Sequence, residues 1–229
     1  MIVILIILFC SCTKVVNTGA SPSNKAYVIN LDLTAGGLPS NYSFIIVSSD
    51  LKSFLFNTPD TAYHAITSGA TNFYIESYSN GTTINSNNIT LSGNTYYSSL
   101  IYNQATGVPG IGVIKDDLTA PQSGYIKLRI LYSVDNTVAN TPAKISIVNQ
   151  QTQDSIVNYN RTDLDFFRIQ PLTNFTAIKA GLFSIYVDNT IIYYNLSLNN
   201  PKSIFTILVN KKASINSAYY YATNYFINK

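Results

Sequence analysis

Residues Tyr63–Ile75 read "YHAITSGATNFYI", and residues Phe175–Val187 read "FTAIKAGLFSIYV". The two stretches share one frame: an aromatic-x-x-Ile-x-x-Gly run, followed after a short gap by apolar-Tyr-apolar. It pairs Tyr63 with Phe175, Ile66 with Ile178, Gly69 with Gly181, and Tyr74 with Tyr186. Downstream, "ITLSGNTYYSSLIYN" from Ile89 lies over "LSLNNPKSIFTILVN" from Leu196, with five residues missing from the intervening hairpin of the second copy. The opening strands correspond as well, "YVINLDL" from Tyr27 against "YIKLRIL" from Tyr125. Three matches in the same order are the sequence sign of a duplicated unit. The joint falls at "KDDLTAPQSG", Lys115–Gly124, where charge, Pro121 and Gly124 interrupt the apolar pattern. The expected domains are therefore 24–120 and 121–229.

Each unit reads as a set of short strands. "AYVINLDL", "YSFIIV", "TNFYIESY" and "TYYSSLIY" fill the first half; "YIKLRILY", "AKISIV", "FSIYV", "SIFTILV" and "AYYYATNYFI" fill the second. All are rich in Tyr, Ile, Val, Phe and Thr, which favour strands. Asn80-Gly81 and "LSGN" from Leu91 supply turn chemistry between them. No long stretch carries a helical apolar period, so the expected fold is all-β, built as sandwiches or barrels.

The whole chain carries a net charge of +3, with charged residues only 11% of the total. Its lysines are scattered, whereas nucleic-acid binding needs a concentrated basic face, so that class is set aside. Both cysteines, Cys10 and Cys12, lie at the start, so no disulfide framework holds the rest.

The Tyr-x-x-Ile-x-x-Gly frame, the later Gly-x-x-Tyr ("GNTY", Gly93–Tyr96), and "DD…AP…G" leading into "LRILYSVDNT" resemble domain-of-unknown-function family 4397. The resemblance runs over nearly the whole chain after Cys12. In the second half "NNPKSIF" replaces the Gly-x-x-Tyr turn, so that copy departs from the pattern. The resemblance implies two tandem immunoglobulin-like β-sandwich domains, often found in secreted and lipid-anchored bacterial proteins, and brings no enzymatic activity with it.

Residues Ile2–Phe9 are uniformly apolar. A spanning helix needs about 20 such residues, whereas a signal-peptide core needs roughly 7–15. A Cys10–Cys12 disulfide would close a tiny strained ring. Zinc would want about four ligands, and His64 is the single histidine. "FCSC" followed by "TK" resembles a bacterial lipobox, and "SCTK" a Bacteroidetes lipoprotein start. That resemblance implies a signal peptide over 1–11, cleavage before Cys12, and lipidation of the Cys12 thiol. Residues 12–23 then form a lipidated tether, and the membrane is a partner through the lipid on Cys12. No Lys or Arg precedes the apolar run, where a signal peptide carries positive charge, so a start further upstream is expected. The expected location is the outer membrane of the cell envelope, with the facing side left open.

Chemistry-bearing constellations are sparse. His64 has no Gly-x-Ser-x-Gly partner, and a triad needs an oriented base. Asp116-Asp117 and Asp163/Asp165 are the close acidic pairs, read as a solvated linker and a solvated loop. Neither offers enough oxygen donors for calcium. No metal, cofactor or catalytic residue is expected. Gly69 and Gly181 are read as turn residues that a side chain would obstruct. The tyrosine pairs Tyr96-Tyr97 and Tyr193-Tyr194 should each send one ring inward and one outward. "DTA" at Asp60 and "DSI" at Asp154 resemble an O-glycosylation signal of Bacteroidetes envelope proteins, on Thr61 and Ser155.

Two function classes follow. One is a lipid-anchored envelope protein with a non-catalytic binding, structural or adhesive role, meeting a glycan or an envelope protein. The other is a secreted hydrolase acting on envelope or dietary polysaccharide, which the lack of a catalytic constellation disfavours. Binding, if it lies on loops, falls on the polar insertion "SNGTTINSNN", Ser79–Asn88, with Asn80, Thr82, Asn85 and Asn87 as candidates. The tyrosine-rich end adds Tyr219 and Tyr221.

Overall fold

A computed structural model describes residues 24–32, 41–56, 62–103, 108–134, 145–155, 175–187, 189–213 and 219–227. Cys12, Thr61, Asp163 and Asp165 lie outside the described residues. The regular elements among the described residues are fifteen strands, so the chain is all-β. The first half holds β1 (Lys25–Asp32), β2 (Tyr42–Val47), β3 (Ser53–Phe56) and β4 (His64–Thr67). It continues with β5 (Gly69–Ser77), β6 (Thr83–Leu91), β7 (Tyr96–Asn103) and β8 (Pro109–Asp116). The second half holds β9 (Tyr125–Val134), β10 (Ile145–Asn149), β11 (Thr176–Lys179) and β12 (Gly181–Val187). It closes with β13 (Thr190–Leu198), β14 (Ile204–Ala213) and β15 (Tyr219–Ile227).

These strands make four small sheets. Sheet I has the order β3-β2-β5-β6 and sheet II the order β4-β1-β7-β8. Sheet III has the order β11-β9-β14-β15 and sheet IV the order β10-β12-β13. Sheets II and III share a plan: a parallel central pair (β1/β7, β9/β14) flanked by antiparallel strands.

Burial follows the period of two that a strand imposes. In β5, Thr71, Phe73, Ile75 and Ser77 are buried, while Asn72, Tyr74 and Glu76 face outward. The inward residues of sheets I and II meet in one core, including Val28, Phe44, Ile46, Phe73, Tyr97 and Ile101. Those of sheets III and IV meet in a second, including Ile126, Leu128, Ile147, Phe183, Ile185 and Phe205. Each fully buried Phe or Ile contributes roughly 1.5–3 kcal/mol relative to exposure.

The central strands of sheets II and III behave differently, because they are buried on both faces. Every residue from Ile204 to Val209 is buried. Ile29, Leu31, Leu100 and Ile114 of sheet II gather with Leu131 and Leu208 of sheet III in a third cluster. Sheets II and III therefore pack face to face, and the layers run I, II, III, IV.

Gly69 and Gly181 sit where the chain changes sheet rather than in a turn. Only Ser68 separates β4 of sheet II from β5 of sheet I, and only Ala180 separates β11 from β12. Gly69 has φ 120°, and a Cβ there would lie 2.9 Å from the Cβ of Ser49. At Gly181 the nearest atom to such a Cβ is Asn149 Nδ2, at 3.1 Å.

Candidate functional site

The buried ion pair lies where sheets II and III meet. Asp116 ends β8, Arg129 is central in β9, and both side chains are fully buried. Arg129 Nη1 donates to Asp116 Oδ1 at 2.5 Å, Nη2 donates to Ser98 Oγ at 2.5 Å, and Nε donates to Thr206 Oγ1 at 2.9 Å. Asp116 Oδ2 accepts from Tyr63 Oη at 2.6 Å and from Ser98 Oγ at 2.7 Å. The Phe175 ring lies 4.5 Å from the guanidinium carbon. Such an Arg–carboxylate contact is stable in a low-dielectric interior only when further hydrogen bonds support it, and here each Arg129 nitrogen and each Asp116 oxygen has a partner.

Asp116 is thus not part of a solvated linker, as its sequence context suggests. β8 carries it into the interface, and Leu118 and Pro121 just beyond are buried too. Of the two aspartates, Asp117 is the one that faces solvent. Its carboxylate accepts from Lys127 Nζ at 2.8 Å and from the Thr119 hydroxyl at 2.6 Å. The Lys127 ammonium, then Thr119, hold the Asp117 carboxyl down at about 2.

A groove of 760 Å³ opens beside this cluster, lined by Asn94, Thr95, Tyr96, Lys115, Asp117 and Thr119 among others. The Tyr96 ring stacks on Tyr27 with centroids 4.8 Å apart and meets Tyr63 edge-on at 5.1 Å. Far from it, Asp50 ties the β2–β3 turn to β4 by accepting from Ser48 Oγ at 2.5 Å and Thr67 Oγ1 at 2.9 Å. The Ser48 hydroxyl holds the Asp50 carboxyl at about 2, helped by Thr67 and Lys52 and opposed by desolvation.

The polar insertion is not a free hairpin tip. Only Tyr78–Thr82 form the turn, where Asn80 Oδ1 accepts from the Thr82 N–H at 3.1 Å and both residues are exposed. Thr83–Asn88 belong to β6, paired with β5. Asn85 Nδ2 donates to the Pro109 carbonyl at 2.9 Å, and Asn87 Nδ2 donates to that of Ile111 at 3.4 Å. Two of the four candidates thus clip sheet I to sheet II. Tyr219 and Tyr221 lie on edge strand β15, opposite Ala213 and Lys211; their side chains lie outside the described residues.

Tyr97 is core and Tyr96 faces outward, as alternation requires. Tyr193 and Tyr194 are both exposed, because register shifts in the β12/β13 pairing break the alternation. Ser155 is exposed, and His64 is exposed on β4. Among the described residues no group of three His, Cys, Asp or Glu converges as metal ligands. The residues that sequence reasoning missed are Arg129, Ser98, Thr206, Tyr63 and Phe175. The sequence hid Arg129, because "IKLRIL" places Lys127 and Arg129 two residues apart on one face, a pattern that reads as a strand with a wet side.

The architecture is that of an all-β protein of small layered sheets. Within it, residues 51–143 match the domain of unknown function DUF4397. The match is narrower than the near-complete coverage that the sequence resemblance suggested. It runs from the turn before β3 through β9, and contains Tyr63, Ser98, Asp116 and Arg129. No curated protein matches the chain.

Proposed function

We propose that this is a lipid-anchored cell-envelope protein whose two tandem immunoglobulin-like β-sandwich modules serve a non-catalytic binding or adhesive role. The observation that carries the non-catalytic reading is the fate of the Asp116–Arg129 constellation. Both oxygens of Asp116 are engaged, by Arg129, Ser98 and Tyr63, in a buried ion pair, an arrangement that suits a structural role better than general acid–base work. Its geometry serves to join two sheets.

The tandem reading draws support from hydrogen-bond register rather than from letters alone. In the first half Asn94 N donates to Lys25 O and Tyr27 N to Thr95 O; in the second Lys202 N donates to Tyr125 O and Lys127 N to Ser203 O. Asn94 and Lys202 both adopt positive φ, 54° and 69°. The register thus pairs Tyr27 with Lys127 and Tyr96 with Ile204, where letters paired Tyr27 with Tyr125 and Tyr96 with Ser203. One extra residue in the second turn accounts for the latter shift, and a one-residue slip reverses every face that follows. Gly69 opposite Leu91 and Gly181 opposite Leu198 keep the letter alignment.

The lipid reading rests on "FCSC" and the short apolar run before it. A lipid on Cys12 would hold the modules at the outer membrane, where several acyl chains at about 0.8 kcal/mol per buried methylene give durable anchoring. The polar groove and the exposed tyrosines of β13 offer hydrogen bonds and aromatic faces, a chemistry suited to glycans or to a neighbouring envelope protein. Radiolabelled palmitate should enter the full chain in a bacterial host and not Cys12→Ala; equal labelling of both removes the anchor. A glycan array probed with residues 24–229, which retain all fifteen strands, tests the binding role. Turnover of a polysaccharide by that fragment would overturn the non-catalytic reading.

A further inference from the structure

The contact between sheets II and III is built from the same strand positions on both sides. By the hydrogen-bond register above, Leu31 corresponds to Leu131, Leu100 to Leu208 and Ser98 to Thr206. All six lie in this contact: the leucines share one apolar cluster, and both hydroxyls accept from Arg129. Tyr63 and Phe175, the paired aromatics of the repeat, also meet there, one on Asp116 and one on Arg129. Corresponding positions meeting across an interface are the mark of an isologous dimer. Such a face is by its nature able to pair with a copy of itself.

Among the corresponding positions that differ, two carry a fully buried charge. Arg129 corresponds to Ile29 in the first half. Asp116 corresponds in sequence to Asn228, since Lys115 opposes Tyr97 as Ile227 opposes Phe205. We infer that Arg129 and Asp116 act as a pairing code that makes sheet II accept only sheet III, and excludes like-with-like association between chains. Two first modules face to face would bury two Asp116 carboxylates with no cation. Two second modules would bury two Arg129 guanidiniums with no carboxylate. Only the first-with-second arrangement neutralises both, and a buried unpaired charge is strongly disfavoured.

The inference rests on the tandem reading but not on the lipid anchor or on any ligand. It is tested with residues 24–229 carrying Arg129→Ile or Asp116→Asn, each substitution copying the corresponding residue of the other half. Each variant alone places a lone charge in its interface. Co-refolded from urea, the two chains can exchange modules, giving a heterodimer with one interface that carries both charges and one that carries neither. Native mass spectrometry, with one chain isotopically labelled, should show this heterodimer outnumbering the two homodimers together by about tenfold or more, where random pairing makes them equal. The wild-type chain should stay monomeric at the same concentration. Variants that fold only when refolded together also support the code. A statistical mixture, no dimer at all, or an Arg129→Ile chain as stable and monomeric as wild type overturns it. A protease site placed at Gln122-Ser123, which are exposed, separates the two readings. Halves that lose structure when cut and parted refute the tandem modules; halves that stay folded while the variants fail to exchange refute the code alone.

Discussion

Replacing Arg129 with Met keeps most of the aliphatic stem and removes the guanidinium. The change deletes the contacts to Asp116, Ser98 and Thr206 and the stacking on Phe175. Its main effect is on what remains: Asp116 Oδ1 stays buried with its cation gone. Breaking a buried pair from one side costs roughly 3–5 kcal/mol. For a chain of this length that lowers the thermal midpoint by roughly 6–20 °C. Adding Asp116→Asn removes the stranded charge while leaving an oxygen for the Tyr63 and Ser98 hydroxyls. The double variant should therefore be more stable than Arg129→Met alone, although it carries one more substitution. Urea unfolding of residues 24–229, followed by far-UV circular dichroism, reads wild type, Arg129→Met, Asp116→Asn and the double variant. A loss below about 1 kcal/mol for Arg129→Met, the level of an exposed pair, would refute the reasoning. So would additive losses in the double variant.

Gly69→Ala should destabilise the chain more than Gly181→Ala, by about 1–3 kcal/mol, since only Gly69 combines positive φ with a Cβ overlap; urea midpoints decide it. Asn85→Ala should cost about 1 kcal/mol by removing the clip to Pro109, and should speed amide exchange in β8, whereas Asn80→Ala in the exposed turn should change neither. The Asp117 carboxyl is held at about 2 by Lys127, below its unfolded value near 3.9. Its contribution is therefore complete above that unfolded value and is lost as pH falls through about 2. Thermal scans should show Asp117→Asn melting below wild type at pH 5, with the gap closing toward pH 2.

The strands were legible where the chain alternates or runs apolar, as in "AYVINLDL" and "YSFIIV". β8, "PGIGVIKD", was hidden by its proline and glycines, although an edge strand tolerates both. β6 was hidden by its amides, which a reading by hydropathy assigns to a loop although their backbone pairs with β5. The frame that revealed the repeat also contained part of the interface, because Tyr63 and Phe175 both reach the ion pair. What letters could not supply was the partner of each outward face. "DD" looks solvated until β8 is known to end against sheet III, and Arg129 looks like one more surface charge until Thr206 lies beside it. Both facts depend on pairings many residues apart.

The central claim is that sheets II and III cover each other. Amide hydrogen exchange by mass spectrometry on residues 24–229 tests it most directly, since interior strands of the inner and outer sheets differ only in whether one face meets water. If the sheets are packed as described, β1, β7, β9 and β14 exchange markedly more slowly than β2, β5 and β12, which are interior to sheets I and IV. Equal exchange in the two sets would mean that the outward faces of sheets II and III are wet, and would contradict the account.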